Sequence, residues 1–343
     1  MKRSLAVLCL AAAVAATAAA RAQPPAAAPA AARDQPPAPA PAATTTAATV
    51  ARYDLRSGFW VSLHQTLYAV AFLGAEAPWV GEAEQGGWDA AVAAYRERFA
   101  RASPLFDHEL IVTNDTLSGV GDGAALPELP RGMAEVLAAA APAYRARWPV
   151  DDRVNRFWVA MAAALLAEAG EELVVAHEEA YGTAYPDRIV VDAAPHGGRV
   201  GAYTTIRNGL VHATIASPQA ALQGFAALEM LLHEPSHAVV GDREGEIGPE
   251  IVAASRELGV EVPRDLWHAV LFRTSGELTR RALAARGVDY TPYAQAHDVF
   301  SRWLSPGGPL EGTWDAYLAG GMSREEAIRR LVTAAAGPPP AGG

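Results

Sequence analysis

The sequence predicts an α+β fold, mainly helical, with a small mixed or antiparallel sheet beside one histidine-bearing helix. Three observations carry that expectation. Segments with wide apolar faces at a helical period fill the first half of the chain, and a group of β-branched runs around an Asn-Gly pair follows. A nearly unbroken apolar helix then leads into His233-Glu234-Pro235-Ser236-His237.

Met1-Lys2-Arg3, an alanine-rich apolar run from Leu5 to Ala20, and Ala20-Arg21-Ala22 fit a secretory signal peptide over residues 1–22. A periplasmic or secreted location is therefore expected. The apolar run is short and weakly hydrophobic for a membrane span of about 20 residues, so no span is expected after cleavage. Cys9 is the only cysteine and lies in this segment, which leaves a mature chain without disulfides. Residues 23–50, almost entirely Ala, Pro and Thr, cannot bury a core and read as a disordered linker. The folded domain is expected over residues 51–336, as a helical lobe (51–185), a sheet with the metal-site helices (186–286) and C-terminal helices (287–336). A loose tail, 337–343, follows. The net charge is −10, and cleavage would remove three positive charges with Lys2, Arg3 and Arg21. With no basic patch, nucleic-acid binding is excluded, because phosphate contacts need clustered Lys and Arg.

Five helices are expected in the first lobe: Phe59 to Phe72, Trp88 to Ala102, Met133 to Arg147, Val154 to Ala169 and Glu171 to Tyr181, separated by Gly, Pro or Asp signals. His64, His108 and His177 fall in or beside them without a companion at ligand spacing, and read as packed or solvated side chains. Strands follow at Arg188 to Asp192, Val200 to Ile206 and Leu210 to Ala216. The last two flank Arg207-Asn208-Gly209, a strong hairpin signal. His212, in the second hairpin strand, reads as a surface or cross-strand residue.

Ser217-Pro218 supplies a helix start, and Ala220, Leu222, Phe225, Ala226, Leu228, Leu231 and Leu232 carry an apolar helix up to His233. Residues four apart share a helix face, so His233 and His237 can offer two imidazoles to one cation with Glu234 on the same side. That arrangement suits metal-assisted hydrolysis, in which a carboxylate takes a proton from activated water. Buried histidines also need partners, because an unpaired polar group away from water costs several kcal/mol. Pro235 opposes the pattern. It lacks an N–H, abuts the Leu231 carbonyl and should cost about 3 kcal/mol in a helix interior, so a kink or an early helix end is expected.

A catalytic zinc site needs a third protein ligand. Asp242, Glu244 and Glu246 belong to a Gly-rich polar loop; Glu250 and Glu257 lie on one face of a short helix, Pro249 to Leu258. Glu277 differs, because in the helix Asp265 to Ala285 it falls on the apolar arc between Leu266 and Val270. There it is either a ligand or the ion-pair partner of Arg273, Arg280 or Arg281. His268 lies half a helical circumference from Glu277, so a regular helix does not bring both to one cation; His268 then reads as an outer or transition-state group.

With HEPSH behind a small sheet and an acid on a later helix, the chain resembles the zincin metallopeptidases, in particular a secreted bacterial branch of gluzincin-like type. The resemblance covers about Ile189 to Arg286, and HEPSH is its only specific motif. It implies a zinc (Zn2+) metallopeptidase with His233, His237 and Glu277 as metal ligands, Glu257 as second choice, and Glu234 as general base for zinc-activated water. His268 would be catalytic, and His268, Tyr290 and Tyr293 are candidate oxyanion donors. A peptide or protein substrate is implied, held by strand addition at the edge of the Val200 to Ala216 hairpin. The departure is Pro235, and the competing class is a non-catalytic secreted protein that keeps the zincin shape as a binding or scaffold module.

Overall fold

The computed structural model describes residues 46–99, 103–241, 245–302, 310 and 312–336. The expected signal peptide, most of the expected linker, the tail, the last residues of the second expected helix, and Asp242 and Glu244 lie outside them. The described chain is mainly helical with one small mixed sheet, the α+β class read from the sequence.

The sheet comprises β1 (Thr46–Val50), β2 (Tyr53–Ser57), β3 (Ile189–Ala194), β4 (Ala202–Arg207) and β5 (Leu210–Ala216), in the spatial order β1-β2-β3-β5-β4. Strands β2, β3 and β5 run parallel, and β1 and β4 are antiparallel edges. The hairpin β4–β5 turns through Asn208 and Gly209, both at positive φ (51° and 76°), as a twist-matched two-residue turn requires. Strand β1 corrects the linker boundary. Residues 46–50 were expected to be disordered, yet they pair along their length with β2, from Thr46↔Ser57 to Val50↔Tyr53. Backbone hydrogen bonds make that ladder, so a plain Ala/Thr composition does not forbid it.

The helices are α1 (Phe59–Tyr68, extended by a π turn Ala69–Leu73), α2 (Glu82–Phe99), α3 (His108–Ser118), α4 (Met133–Tyr181), α5 (Phe225–Val240), α6 (Ile247–Leu258), α7 (Leu266–Ala284), α8 (Tyr293–Ala296), α9 (Trp314–Leu318) and α10 (Arg324–Ala335). Helix α3 escaped the periodicity reading because its first turn is set by a cap: Asp107 Oδ1 accepts from the amides of Glu109 and Leu110, both at 3.1 Å. The three helices expected between Met133 and Tyr181 are one helix of 49 residues that contains Pro142 and Pro149. Around Pro149 the turn is clamped by Asp151, which accepts from Tyr144 Oη (2.9 Å) and from Arg147 Nε (2.8 Å). Tertiary packing overrides the breaker signal here, as Trp158, Val159, Ala162, Leu166, Leu173 and Val174 are buried in the main core.

The two faces of the sheet differ in chemistry. Tyr53, Leu55, Ile189, Val191, Ala213 and Ile215 belong to the apolar core shared with α4, α5 and α7. The alternate residues form a buried polar layer against α1 and α3: Gln65 Nε2 donates to Asn114 Oδ1 (3.0 Å) and Tyr203 Oη (2.7 Å), and Asn114 Nδ2 donates to Thr214 Oγ1 (3.0 Å). His212 lies in this layer, not on the surface. Its Nδ1 donates to Asp115 (2.8 Å) and its Nε2 to Asp192 (2.7 Å), while Arg207 Nε also donates to Asp115 (2.7 Å). Burial alone would depress the His212 pKa, but hydrogen bonds to Asp115 and Asp192 outweigh it and raise the value to about 9. Two carboxylates and two cations thus share one buried site.

Candidate metal centre

Helix α5 runs from Phe225 to Val240 with Pro235 inside it, so it does not end early at the proline. The reason lies in two tyrosines from elsewhere in the fold. Proline at 235 removes the donor that would reach the carbonyl of Leu231. Tyr53 Oη, from β2, donates to that carbonyl at 3.0 Å. The next carbonyl, Leu232, accepts from Tyr185 Oη (2.6 Å) and Ser236 Oγ (2.7 Å). The orphaned acceptor is satisfied from outside the helix, and the four-residue spacing of the two histidines is retained.

His233 and His237 present their rings at a centroid distance of 5.2 Å. His268, the third residue of α7, completes a trio in which one potential ligand atom from each residue lies within 4.8 Å of the others. Its ring centroid is 5.4 Å from that of His233 and 4.9 Å from that of His237. The Nε2 atoms of His233 and His268 are 3.4 Å apart. Two nitrogens bound tetrahedrally at the zinc–imidazole length would stand about 3.3–3.4 Å apart, so the spacing fits a common cation. Aromatic side chains fix the ring planes: Phe272, one turn beyond His268, lies 4.0 Å from His233 and 4.9 Å from His268, and Trp267 stacks on His268 at 5.1 Å. His233 Nδ1 is buried with no hydrogen-bond partner among the described residues, so this ring is held by Phe272 and not by an outer acceptor.

The electrostatics favour ligation. Burial, reinforced by neighbouring imidazoles, holds His233 well below the ordinary histidine range and His237 down at about 3. Both rings are therefore neutral near pH 7, with lone pairs available to a soft-to-borderline cation such as zinc. Glu234 follows His233 on α5 and is buried. Burial pushes its pKa up to about 7 against the opposing hydrogen bond from Thr204, whose Oγ1 donates to Glu234 Oε2 at 2.7 Å. Thr204 is on the edge strand β4, and only it and its alternates point toward α5, because the pairing Thr204↔Ala213 puts it on the apolar face. A carboxyl group poised near neutrality is suited to accept and return a proton.

Glu277 does not join the trio, which corrects its expected role as third ligand. It is buried, as its place on the apolar arc implies, but both oxygens are taken. Arg280 donates to Oε2 (2.7 Å) and Oε1 (2.8 Å), and Arg281 donates to Oε1 (2.7 Å). These two guanidiniums outweigh burial and hold its pKa below the ordinary value. The helical geometry makes the choice exclusive: with His268 and Glu277 on opposite sides of α7, the rotation that presents one withdraws the other. Glu257, the second choice, is exposed and paired with Arg329 (2.6 Å). Arg273, the remaining candidate partner of Glu277, is paired with Asp315.

Of the candidate oxyanion donors, His268 is in the trio and the Tyr290 hydroxyl is engaged elsewhere. Tyr290 Oη and the Tyr293 amide both donate to Glu229 Oε2, at 2.6 and 2.9 Å. The Tyr293 ring stacks on Phe272 at 6.2 Å, one aromatic ring removed from the imidazoles. Glu229, one turn before His233, is fully buried, and burial lifts its pKa to about 7. His64 and His177 are packed residues, as expected: Tyr95 Oη is 3.3 Å from His64, and His177 is bonded to the Leu173 carbonyl (2.7 Å). Thr204, Tyr53 and Tyr185 were not singled out from sequence. Nothing near them in the chain distinguishes them, since each acts on a residue far along it.

Comparison with protein-family models, with curated proteins and with solved structures finds no match to this chain.

Proposed function

We propose that the chain is a zinc-dependent hydrolase, most readily a peptidase, with His233, His237 and His268 as the metal-holding set and Glu234 as general base. The observation that carries this reading is the convergence of three imidazoles from α5 and α7, with 3.4 Å between the Nε2 atoms of His233 and His268; Glu234, next to His233 in the chain, is held by Thr204. When bound, zinc would supply Lewis acidity that polarises a carbonyl and lowers the pKa of a water. Glu234, with Oε2 oriented by Thr204, takes the proton on its carboxylate and returns it to the leaving amine. His233 and His237 stay neutral throughout, because burial disfavours their charged forms.

A peptide is the favoured substrate class because β4 ends the sheet beside α5. An extended chain added along β4 would place its carbonyls next to Glu234. The expected signal peptide puts this chemistry in the periplasm or outside the cell.

Metal content and peptide hydrolysis measured for the wild type and for Glu234→Gln test the proposal. One equivalent of zinc in both proteins, with hydrolysis in the wild type alone, is the expected result. A wild type that binds no stoichiometric metal refutes it.

A further inference from the structure

Trp267 also lines a pocket of about 320 Å³ between α6 and the start of α7, together with Ile251, Val252, Val262 and Pro263 among others. We propose that this pocket receives a bulky apolar side chain of the substrate whose bond is broken at the histidine trio. The inference rests on the hydrolase reading above and deepens it, by naming the residue class at one substrate position.

Trp267 is the link between the two places. Its ring stacks on His268 at 5.1 Å and 19° and meets His237 edge-on at 5.6 Å, while it also lines the pocket. The pocket and the imidazoles therefore share one indole, which is a wall of the pocket and a ring neighbour of both His237 and His268. The pocket volume is at the small end of the range that holds ligands, about 300–1,000 Å³, which suits one large side chain and not a length of peptide. Its chemistry points the same way. Ile251, Val262, Pro263 and Trp267 give it an apolar lining, and Val252 is 42 % exposed, a large apolar residue left facing solvent. Arg256, Glu261 and Arg264 also line it and are exposed. Two guanidiniums against one carboxylate make a lysine or arginine side chain of the substrate an unfavourable occupant. Phenylalanine- or leucine-like side chains fit best.

The test uses the zinc-loaded full chain and two metal-chelating probes, the hydroxamates of N-acetyl-phenylalanine and N-acetyl-glycine, titrated calorimetrically. Burial of the benzyl group should make the phenylalanine probe bind about tenfold to a hundredfold tighter. Val252→Glu, which adds a charge at a solvent-facing position, should reduce that advantage to under about threefold; Ser255→Trp, which fills the pocket by bulk, should do the same. Thermal melting confirms that each variant is folded. Equal affinity of the two probes for the wild type, or an advantage that survives both substitutions, overturns the pocket assignment while leaving the metal site in place. If neither probe binds to the zinc-loaded chain, the histidine-site reading itself fails, and the pocket assignment falls with it.

Discussion

The Leu231 carbonyl offers a direct measurement of how the fold accommodates Pro235. Tyr53→Phe removes one hydroxyl and leaves that carbonyl, in the middle of a buried helix, with no donor. An unsatisfied buried acceptor costs about 1–3 kcal/mol, which for a domain of this size is roughly 2–4 °C of melting temperature per kcal/mol. The same substitution should cost far less in a Pro235→Ala background. There the amide of residue 235 is restored and reaches the Leu231 carbonyl, so the tyrosine hydroxyl is no longer its only donor. The expected coupling between the two sites is about 1–2 kcal/mol, read from urea denaturation of the wild type, both single variants and the double variant. Tyr185→Phe serves as a control, because its acceptor, the Leu232 carbonyl, keeps the Ser236 hydroxyl in either background. It should behave additively with Pro235→Ala. If Tyr53→Phe costs the same with proline and with alanine at 235, the hydroxyl is not compensating for the missing amide, and the account of how HEPSH stays helical is wrong.

His268→Ala should lower zinc affinity by more than the roughly 10–100-fold typical of an outer partner, whereas Glu277→Gln should leave zinc binding intact and cost only about 0–1 kcal/mol, since its arginine partners are partly solvated; equilibrium dialysis separates the two. Gly276→Ala should destabilise by about 1–3 kcal/mol, because its added Cβ would stand 2.8 Å from Pro292 Cβ and 3.3 Å from Glu229 Oε1, and a neutral effect on melting would contradict that packing. His212 has its folded-state pKa raised from 6.5 to about 9, so its contribution to stability is complete below pH 6.5 and is lost as pH rises through 9. His212→Gln should be less stable at pH 6, and its stability should fall less steeply than that of the wild type between pH 6.5 and 9; parallel curves would rule out the charged form.

Much of this arrangement was legible in the chain. The hairpin at Asn208-Gly209, the apolar helix ahead of His233 and the pairing of His233 with His237 follow from local chemistry, and all three are present. The third member of the trio is His268 and not the acid that the sequence favours, for a local reason. Glu277 was correctly placed on the buried arc of α7, but an acid on such an arc needs charge partners, and the nearest lay one turn away in Arg280 and Arg281. Local pairing satisfied it before any distant site could. His268 carries a signal of its own: an imidazole flanked by Trp267 and, a turn on, by Phe272, the aromatic setting that holds ring planes still. Pro235 misled for the opposite reason. Its cost was real on local grounds, but the donor that relieves it comes from residue 53, and no reading along the helix could reveal it.

The trio and the carboxylate depend on different parts of the molecule. The imidazoles come from α5 and α7, two helices that pack on each other, while the carboxyl group of Glu234 takes its orientation from a hydroxyl on β4, at the rim of the sheet. Changes at that rim would therefore release the proposed base without disturbing the helices that gather the nitrogens. A chain altered there would keep its three gathered imidazoles while Glu234 lost the hydroxyl that orients it.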